Sequence, residues 1–292
     1  MKILVTGCNG QVGHCIVQQL SDTTVECLAV DRDHLDITDQ GAVFNIVRKF
    51  QPHIIINAAA YTAVDKAEEE VELSYRINRD GPKYLAQAAN EIGAAILHIS
   101  TDYVFSGEFD GEYKETDVTS PQGIYGESKL AGEIAVSDIC EKYIILRTAW
   151  VFGEHGNNFV KTMLKLGEKR DSLGIVSDQY GGPTYAGDIA SVLIKIAFLI
   201  HDKQPIQYGI YHFSGLPHVS WFDFAKTIFD VALDKQLLSK KPQLSPISTE
   251  QYPTPAKRPA NSRLSTEKIK QEFGISASDW QRALINLENY KL

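Results

Sequence analysis

Tyr125 and Lys129 stand four residues apart in a stretch of helical pattern, 123–140. At that spacing two side chains leave one helix face about one turn apart. A free phenol ionises near ~10 and exchanges protons poorly at neutrality. An ammonium beside it favours the phenolate and brings it toward useful range. A Tyr-x-x-x-Lys pair arises by chance in many helices, so its weight comes from position. It follows an apolar run ending in Ser100-Thr101-Asp102 and precedes another, 143–148. Thr101 is placed to offer a second hydroxyl to the same oxo group, or equally to bond the backbone at a strand end.

A second group of residues lies upstream. Thr6-Gly7-Cys8-Asn9-Gly10-Gln11-Val12-Gly13 follows the first apolar run and opens a helical pattern. Glycines at 7, 10 and 13 suit a backbone that turns sharply and approaches a pyrophosphate closely, with helix N–H groups facing the phosphate. Asp31, 18 positions after Gly13, stands where an acid accepts a ribose hydroxyl, and its neighbour Arg32 suits a 2′-phosphate. NADH and NADPH therefore both remain open. Small residues at Asn57-Ala58-Ala59-Ala60 let a cofactor lie close, or let a helix pack tightly.

The elements that must position these groups alternate. Strands are expected at 2–6, 27–31, 53–59, 95–100 and 143–148, and helices at 11–20, 39–50, 74–92 and 123–140. Continuous apolar strands separated by helices predict a parallel sheet covered on both faces. The expected fold is α/β, a Rossmann-type doubly wound sheet with a smaller C-terminal substrate-binding lobe. Residues 1–165 form the dinucleotide domain, completed by about 185–215, and 166–292 mainly the lobe. In that half, helices are expected at 157–169, 185–200 and 220–230, with a short strand at 209–213 returning to the main sheet.

Composition narrows the partners. The 292 residues carry a net charge of −8, which argues against a broad nucleic-acid-binding face. Ile189–Ile200, the longest apolar stretch, is broken by Lys195 and too short to span a membrane. Cys8, Cys15, Cys27 and Cys140 form no C-x-x-C pair and share no metal spacing with a histidine, so no metal ligand is expected. Together with the absence of a signal-peptide pattern, this points to a cytoplasmic protein. Arg258 and Arg263, in a Pro-stiffened segment, are candidate forks for a diphosphate, or solvated surface arginines. Asn158 and Gln179 are placed to read a base or sugar, or to cap helices.

The glycine pattern, Asn57-Ala58-Ala59-Ala60, Ser100-Thr101-Asp102 and Tyr125…Lys129 together resemble the extended short-chain dehydrogenases/reductases. Longer blocks sharpen the likeness to the branch that reduces 4-keto dTDP-sugars. They include Thr62-Ala63-Val64-Asp65-Lys66-Ala67-Glu68, Ser100 to Phe105, Gly156-Asn157-Asn158-Phe159, Asp178-Gln179-Tyr180-Gly181 and Tyr252 to Ala256. The resemblance implies reduction of dTDP-4-dehydro-L-rhamnose to dTDP-L-rhamnose by NADPH or NADH. It places Gly10, Gln11, Val12, Asp31, Asp36, Ile37, Ala60, Tyr61 and Thr62 along the cofactor. Tyr125 would protonate the sugar oxygen, and Lys129 would hold the nicotinamide ribose and lower the tyrosine pKa. Thr101 and Asp102 would touch the sugar, with Trp150 against it; core packing explains Trp150 equally well.

Relatives that dimerise through magnesium carry a carboxylate just after the third glycine. Here the segment reads Gly13-His14-Cys15-Ile16, which leaves magnesium open and points to a monomer or weak homodimer. Three other functions were weighed. A 4,6-dehydratase needs a glutamate where Tyr103 follows Asp102. A 4-epimerase shares the tyrosine and lysine but lacks the block from Ser100 to Phe105. A non-catalytic regulatory subunit can retain both residues, and the compact chain favours the plain enzyme.

Overall fold

A computed structural model of the chain describes residues 1–290. Five strands of the first half, β1 (Lys2–Thr6), β2 (Glu26–Val30), β3 (Ile54–Asn57), β4 (Ala95–Thr101) and β5 (Tyr143–Thr148), join Gly209–His212 in one sheet. The order is Gly209–His212, β5, β4, β3, β1, β2, and every pairing is parallel. Parallel strands need covered faces, and the sequence supplies them: all of β3 is buried. On one face, α1 (Gln11–Ser21) and the helix Ala186–His201 pack Ile16, Leu20, Ile189 and Leu193 onto Ile3, Val5 and Ile56. On the other, α2 (Gln40–Phe50) and the helices Gly81–Ile92 and Ile124–Ile139 bury Val43, Val47, Leu85 and Val136 against Leu4, Ile55 and Ile145.

The doubly wound arrangement is the expected one, with a single strand outside β1. After β2 the chain makes only turns before α2 and crosses directly to β3 on the opposite side of β1. Strand order thus reverses between β1 and β3, and a crevice opens there at the carboxyl ends.

Three local features depart from the sequence expectations. The helix expected at 74–92 begins at Val71 and is π-wound over Arg76–Asp80. Pro82 follows this turn and has no N–H to return to the residue 78 carbonyl, which loosens the winding. A short helix, Val64–Ala67, precedes it. Strands Ser172–Val176 and Gln243–Ile247 pair in parallel in the C-terminal half; their alternation is too weak to read, since most of their residues are exposed or only partly buried.

The C-terminal half has its own core. Helices Phe159–Lys169, Trp221–Asp234 and Trp280–Leu284 enclose Phe152, Phe224, Phe229 and Trp280. Each such ring, fully buried, contributes about 2–3 kcal/mol. Ser220 caps the middle helix by accepting from the Asp223 N–H at 3.0 Å.

Candidate active site

Gly7, at the end of β1, has φ +72°, a conformation that favours glycine. A Cβ there would fall 2.6 Å from the Ala59 nitrogen, and one on Gly13 would fall 2.1 Å from the Gly7 carbonyl oxygen. The turn is therefore packed backbone to backbone against the end of β3, which accounts for both the glycines and the alanines. It leads into α1, whose first N–H groups carry no side-chain cap. A groove of ≈ 570 Å³ opens beside it. Gly7, Gly10, Asp31, Arg32, Asp36, Ile37, Ala60, Tyr61 and Thr62 all line this groove. The cradle fits a dinucleotide: it has a glycine turn, helix N–H groups without a side-chain cap, and Arg32 and Arg76 in its lining.

The remaining cofactor residues stand behind the turn. Val12 is core, and the Gln11 Oε1 accepts from the Asn158 Nδ2 at 3.0 Å. Asp31 is already engaged: its carboxylate accepts from Asn9 Nδ2 at 2.7 Å and pairs with His34 Nδ1 at 2.6 Å. The imidazole bond holds the Asp31 carboxyl below its ordinary range and raises His34. Arg76 was not foreseen. It lines the groove and donates to Thr38 Oγ1 at 3.2 Å, and no periodicity marks an exposed helical arginine as a ligand.

Asn78 was also not foreseen, and it ties the cofactor side to the catalytic helix. Its side chain exchanges hydrogen bonds with the Tyr61 backbone at 2.8 and 3.1 Å and donates to Ser128 Oγ at 3.0 Å. Its backbone lies so close to the Tyr125 helix that a Cβ on Gly132 would sit 2.0 Å from the Asn78 carbonyl oxygen. The same helix starts without a cap of its own. Glu68 supplies one, accepting from the Ile124 N–H at 3.0 Å and placing negative charge at the positive end of the helix dipole.

Tyr125 lies in the first turn of that helix, its ring edge-on to Tyr103 with centroids 5.3 Å apart. Burial drives its phenol pKa upward, the nearby Thr101 side chain opposes this, and Asp102 and Tyr103 add to the rise. The lowering expected from Lys129 is not among these influences. Lys129 is buried, and its ammonium donates to the Ile99 carbonyl at 2.7 Å rather than turning to the phenol. Burial also pushes Lys129 down to about 8, against the pull of Glu133.

Thr101 ends β4 and Asp102 opens the turn after it, both near the phenol. Thr101 caps the following turn by accepting from the Tyr103 N–H at 3.2 Å, and donates to Asp102 Oδ1 at 3.1 Å. The hydroxyl thus bonds the backbone at the strand end, the second of its two expected roles. The other carboxylate oxygen, Oδ2, is buried without a partner. Desolvation raises Asp102 to about 6, opposed by the neighbouring Ser262 and Thr101 hydroxyls.

From the C-terminal half, Arg258 reaches the same place. It donates to Asp65 Oδ2 at 2.7 Å and to the Tyr103 hydroxyl at 3.4 Å. Arg263 points elsewhere, to the fully exposed Asp110. Trp150 has φ +48° and stacks on Trp221 with centroids 3.5 Å apart, its ring against the backbone of Gly181. Asn158 is a helix cap, accepting from the Lys161 N–H at 3.1 Å while its amide nitrogen serves Gly153 and Gln11. Gln179 is buried and donates to Thr249 Oγ1 at 3.1 Å. Both amides are used within the chain.

Among the described residues, no helix is long and apolar enough to cross a membrane. Within them, no three His, Cys, Asp or Glu side chains group as a metal site requires.

Comparison with known proteins agrees with this geometry. The family model described as RmlD substrate binding domain matches residues 1–290. A dTDP-4-dehydrorhamnose reductase of Aggregatibacter actinomycetemcomitans is 54% identical over 290 residues, covering 99% of both chains. The enzyme of that name from Escherichia coli K12 is 42% identical over 288 residues, covering 96% of this chain and 95% of its own. Among solved structures, a dTDP-4-dehydrorhamnose reductase of Bacillus anthracis in complex with NADP superimposes with a TM-score of 0.91. It shares 38% identity and covers 98% of this chain and 99% of its own. A UDP-glucose 4-epimerase of Thermus thermophilus, 21% identical with a TM-score of 0.78, shares the fold alone. With its whole described length matched, its glycine turn, groove and Tyr125 helix in place, the chain belongs to the RmlD substrate binding domain family.

Proposed function

We propose that this chain is an NADPH-dependent oxidoreductase that reduces dTDP-4-dehydro-L-rhamnose to dTDP-L-rhamnose. The observation that carries the reading is the Tyr125 phenol, raised in pKa and set over Thr101 and Asp102 at the carboxyl edge of the sheet, beside the dinucleotide groove. NADPH, held by Gly7, Gly10 and the Ala60–Thr62 loop, supplies the hydride for C4. The bound relative from Bacillus anthracis supports NADP as its form, and Arg32 and Arg76 line the same groove.

Tyr125 gives its proton to the oxygen on C4. Burial keeps the phenol protonated, so the proton is there to give, and its release relies on Lys129 steadying the phenolate while Thr101 shares the new oxyanion. Lys129 moves from the Ile99 carbonyl toward the ribose and steadies the phenolate left behind. The unpartnered Asp102 Oδ2 takes a sugar hydroxyl, and Trp150 walls the ring. We assign the dTDP end to the C-terminal lobe, mainly 166–292, with Arg258 as its fork toward the diphosphate. Every group named comes from one chain.

The test is oxidation of NADPH, and separately NADH, followed by nicotinamide absorbance with dTDP-4-dehydro-L-rhamnose. Rapid, saturable oxidation with NADPH is expected. A protein that binds NADPH yet leaves it unoxidised with this sugar would end the reading.

A further inference from the structure

We propose that His98 is a positioning residue for Lys129: locked in one tautomer by Asn57, it presents an N–H to the lysine nitrogen and disfavours the ammonium there while the site rests. The catalytic meaning of this rests on the reductase reading above; the geometry does not.

The tautomer follows from a chain of buried hydrogen bonds. Asn57 ends β3 and is wholly buried. Its Oδ1 accepts from Thr6 Oγ1 at 2.7 Å and from the Ala59 N–H at 3.1 Å. A backbone N–H can only donate, so that end of the amide is the oxygen. The Asn57 Nδ2 therefore donates to His98 Nδ1, 2.9 Å away, and this ring nitrogen must accept. His98 is fully buried, and burial keeps its imidazole uncharged. A neutral ring with an accepting Nδ1 carries its proton on Nε2.

Nε2 lies 3.4 Å from Lys129 Nζ, which itself donates to the Ile99 carbonyl at 2.7 Å. An ammonium here sets one N–H against another. A neutral amine accepts the imidazole proton and still donates to Ile99. The other charged or titratable groups facing the lysine are few. Tyr125 stands one turn back on the same helix, and Glu133 one turn on. Glu133 favours the ammonium, but its carboxylate is bound by Arg147 from β5 at 2.6 Å. Burial acts against the ammonium and brings the lysine down to about 8; the imidazole N–H facing Nζ adds to that opposition. Ligand that draws Lys129 off His98 frees it to take up charge, so protonation of the lysine is linked to occupancy of the site.

Two measurements test this in the whole protein without turnover. Nitrogen-15 spectra of the histidine rings should show His98 protonated on Nε2 alone across neutral pH. Carbon-13 spectra of the lysine ε-methylenes, with Lys129 assigned by a Lys129→Met control, should give its midpoint in wild type and in His98→Gln. The glutamine amide has similar reach but is free to turn its oxygen to the lysine, so the midpoint should rise by about one pH unit or more. His98→Asn, which keeps an acceptor for Asn57 and is too short to set an N–H at the Nε2 position, should raise it too and serves if the glutamine variant fails to fold. The pH profile of NADPH oxidation should shift with it. A proton on His98 Nδ1, or an unmoved Lys129 midpoint, overturns the proposal. A midpoint that moves in a protein without turnover upholds it and counts instead against the reductase reading.

Discussion

Glu133 and Arg147 meet 2.6 Å apart in the core, with side chains only 2% and 3% exposed. The guanidinium uses Nε and Nη2 in a two-pronged bond to the carboxylate, and its plane lies over the Phe105 ring. Breaking such a pair by removing one partner leaves an uncompensated charge in the interior. Glu133→Ala should therefore destabilise the fold by about 3–5 kcal/mol, read from chemical denaturation. A loss under about 1 kcal/mol would mean that water reaches Arg147.

Proton donation from Tyr125 makes a separable prediction. Tyr125→Phe keeps the ring that packs on Tyr103 and removes the hydroxyl alone. Turnover should fall by about 10²–10⁴-fold, the range for a lost general acid. The groove does not include this side chain among its lining, so NADPH affinity by fluorescence titration should stay near wild type. Near-normal turnover would assign the proton to another group.

Asp102 links the site to stability through pH. Its folded pKa, about 6, is raised above the ordinary 3.8. Below both values the carboxyl is neutral in both states and costs nothing. As pH rises from about 4 to 6 the unfolded chain ionises first, and the folded state loses stability. Asp102→Asn should flatten that loss, by up to ~3 kcal/mol at pH 8 and not at all at pH 3. It should also raise KM for the sugar, since Oδ2 is the acceptor offered to it. Equal pH dependence in wild type and variant, by denaturant melts at several pH values, would place the titration elsewhere.

The glycine turn allows a steric test. Gly13→Ala drives a methyl into the Gly7 carbonyl, backbone against backbone, so no rotamer relieves it. The start of α1 must move outward, at a cost of about 1–3 kcal/mol. Thermal melts should fall, and NADPH affinity should fall at least tenfold. Gly93→Ala is the contrasting control for fold alone: no atom lies within 4 Å of the added methyl, and the strain of φ +73° is local to a helix end.

What could be read in advance follows from physics local to the chain. The alternation of buried strands and amphipathic helices marks the sheet, because a parallel strand covered on both faces leaves a continuous apolar run such as Ile54-Ile55-Ile56. The glycine turn and the Tyr125–Lys129 spacing are legible for the same reason, since each is a short-range constraint. Arg76, Asn78 and Glu68 were not legible. Each acts on a partner distant in sequence: the groove, Tyr61 with Ser128, and the Ile124 N–H. Helical spacing carries no trace of such contacts. The orientation of Lys129 was hidden too, because its partners, His98 and Ile99, are chosen by packing between β4 and the helix rather than by the four-residue step from Tyr125.

The groove residues end at Ile77, whereas Arg258 comes near the far end of the chain. During synthesis the cofactor-side loops thus leave the ribosome long before the arginine that reaches Tyr103 and Asp65. A chain lacking its final stretch would keep the groove residues and lose the guanidinium that joins Asp65 to Tyr103.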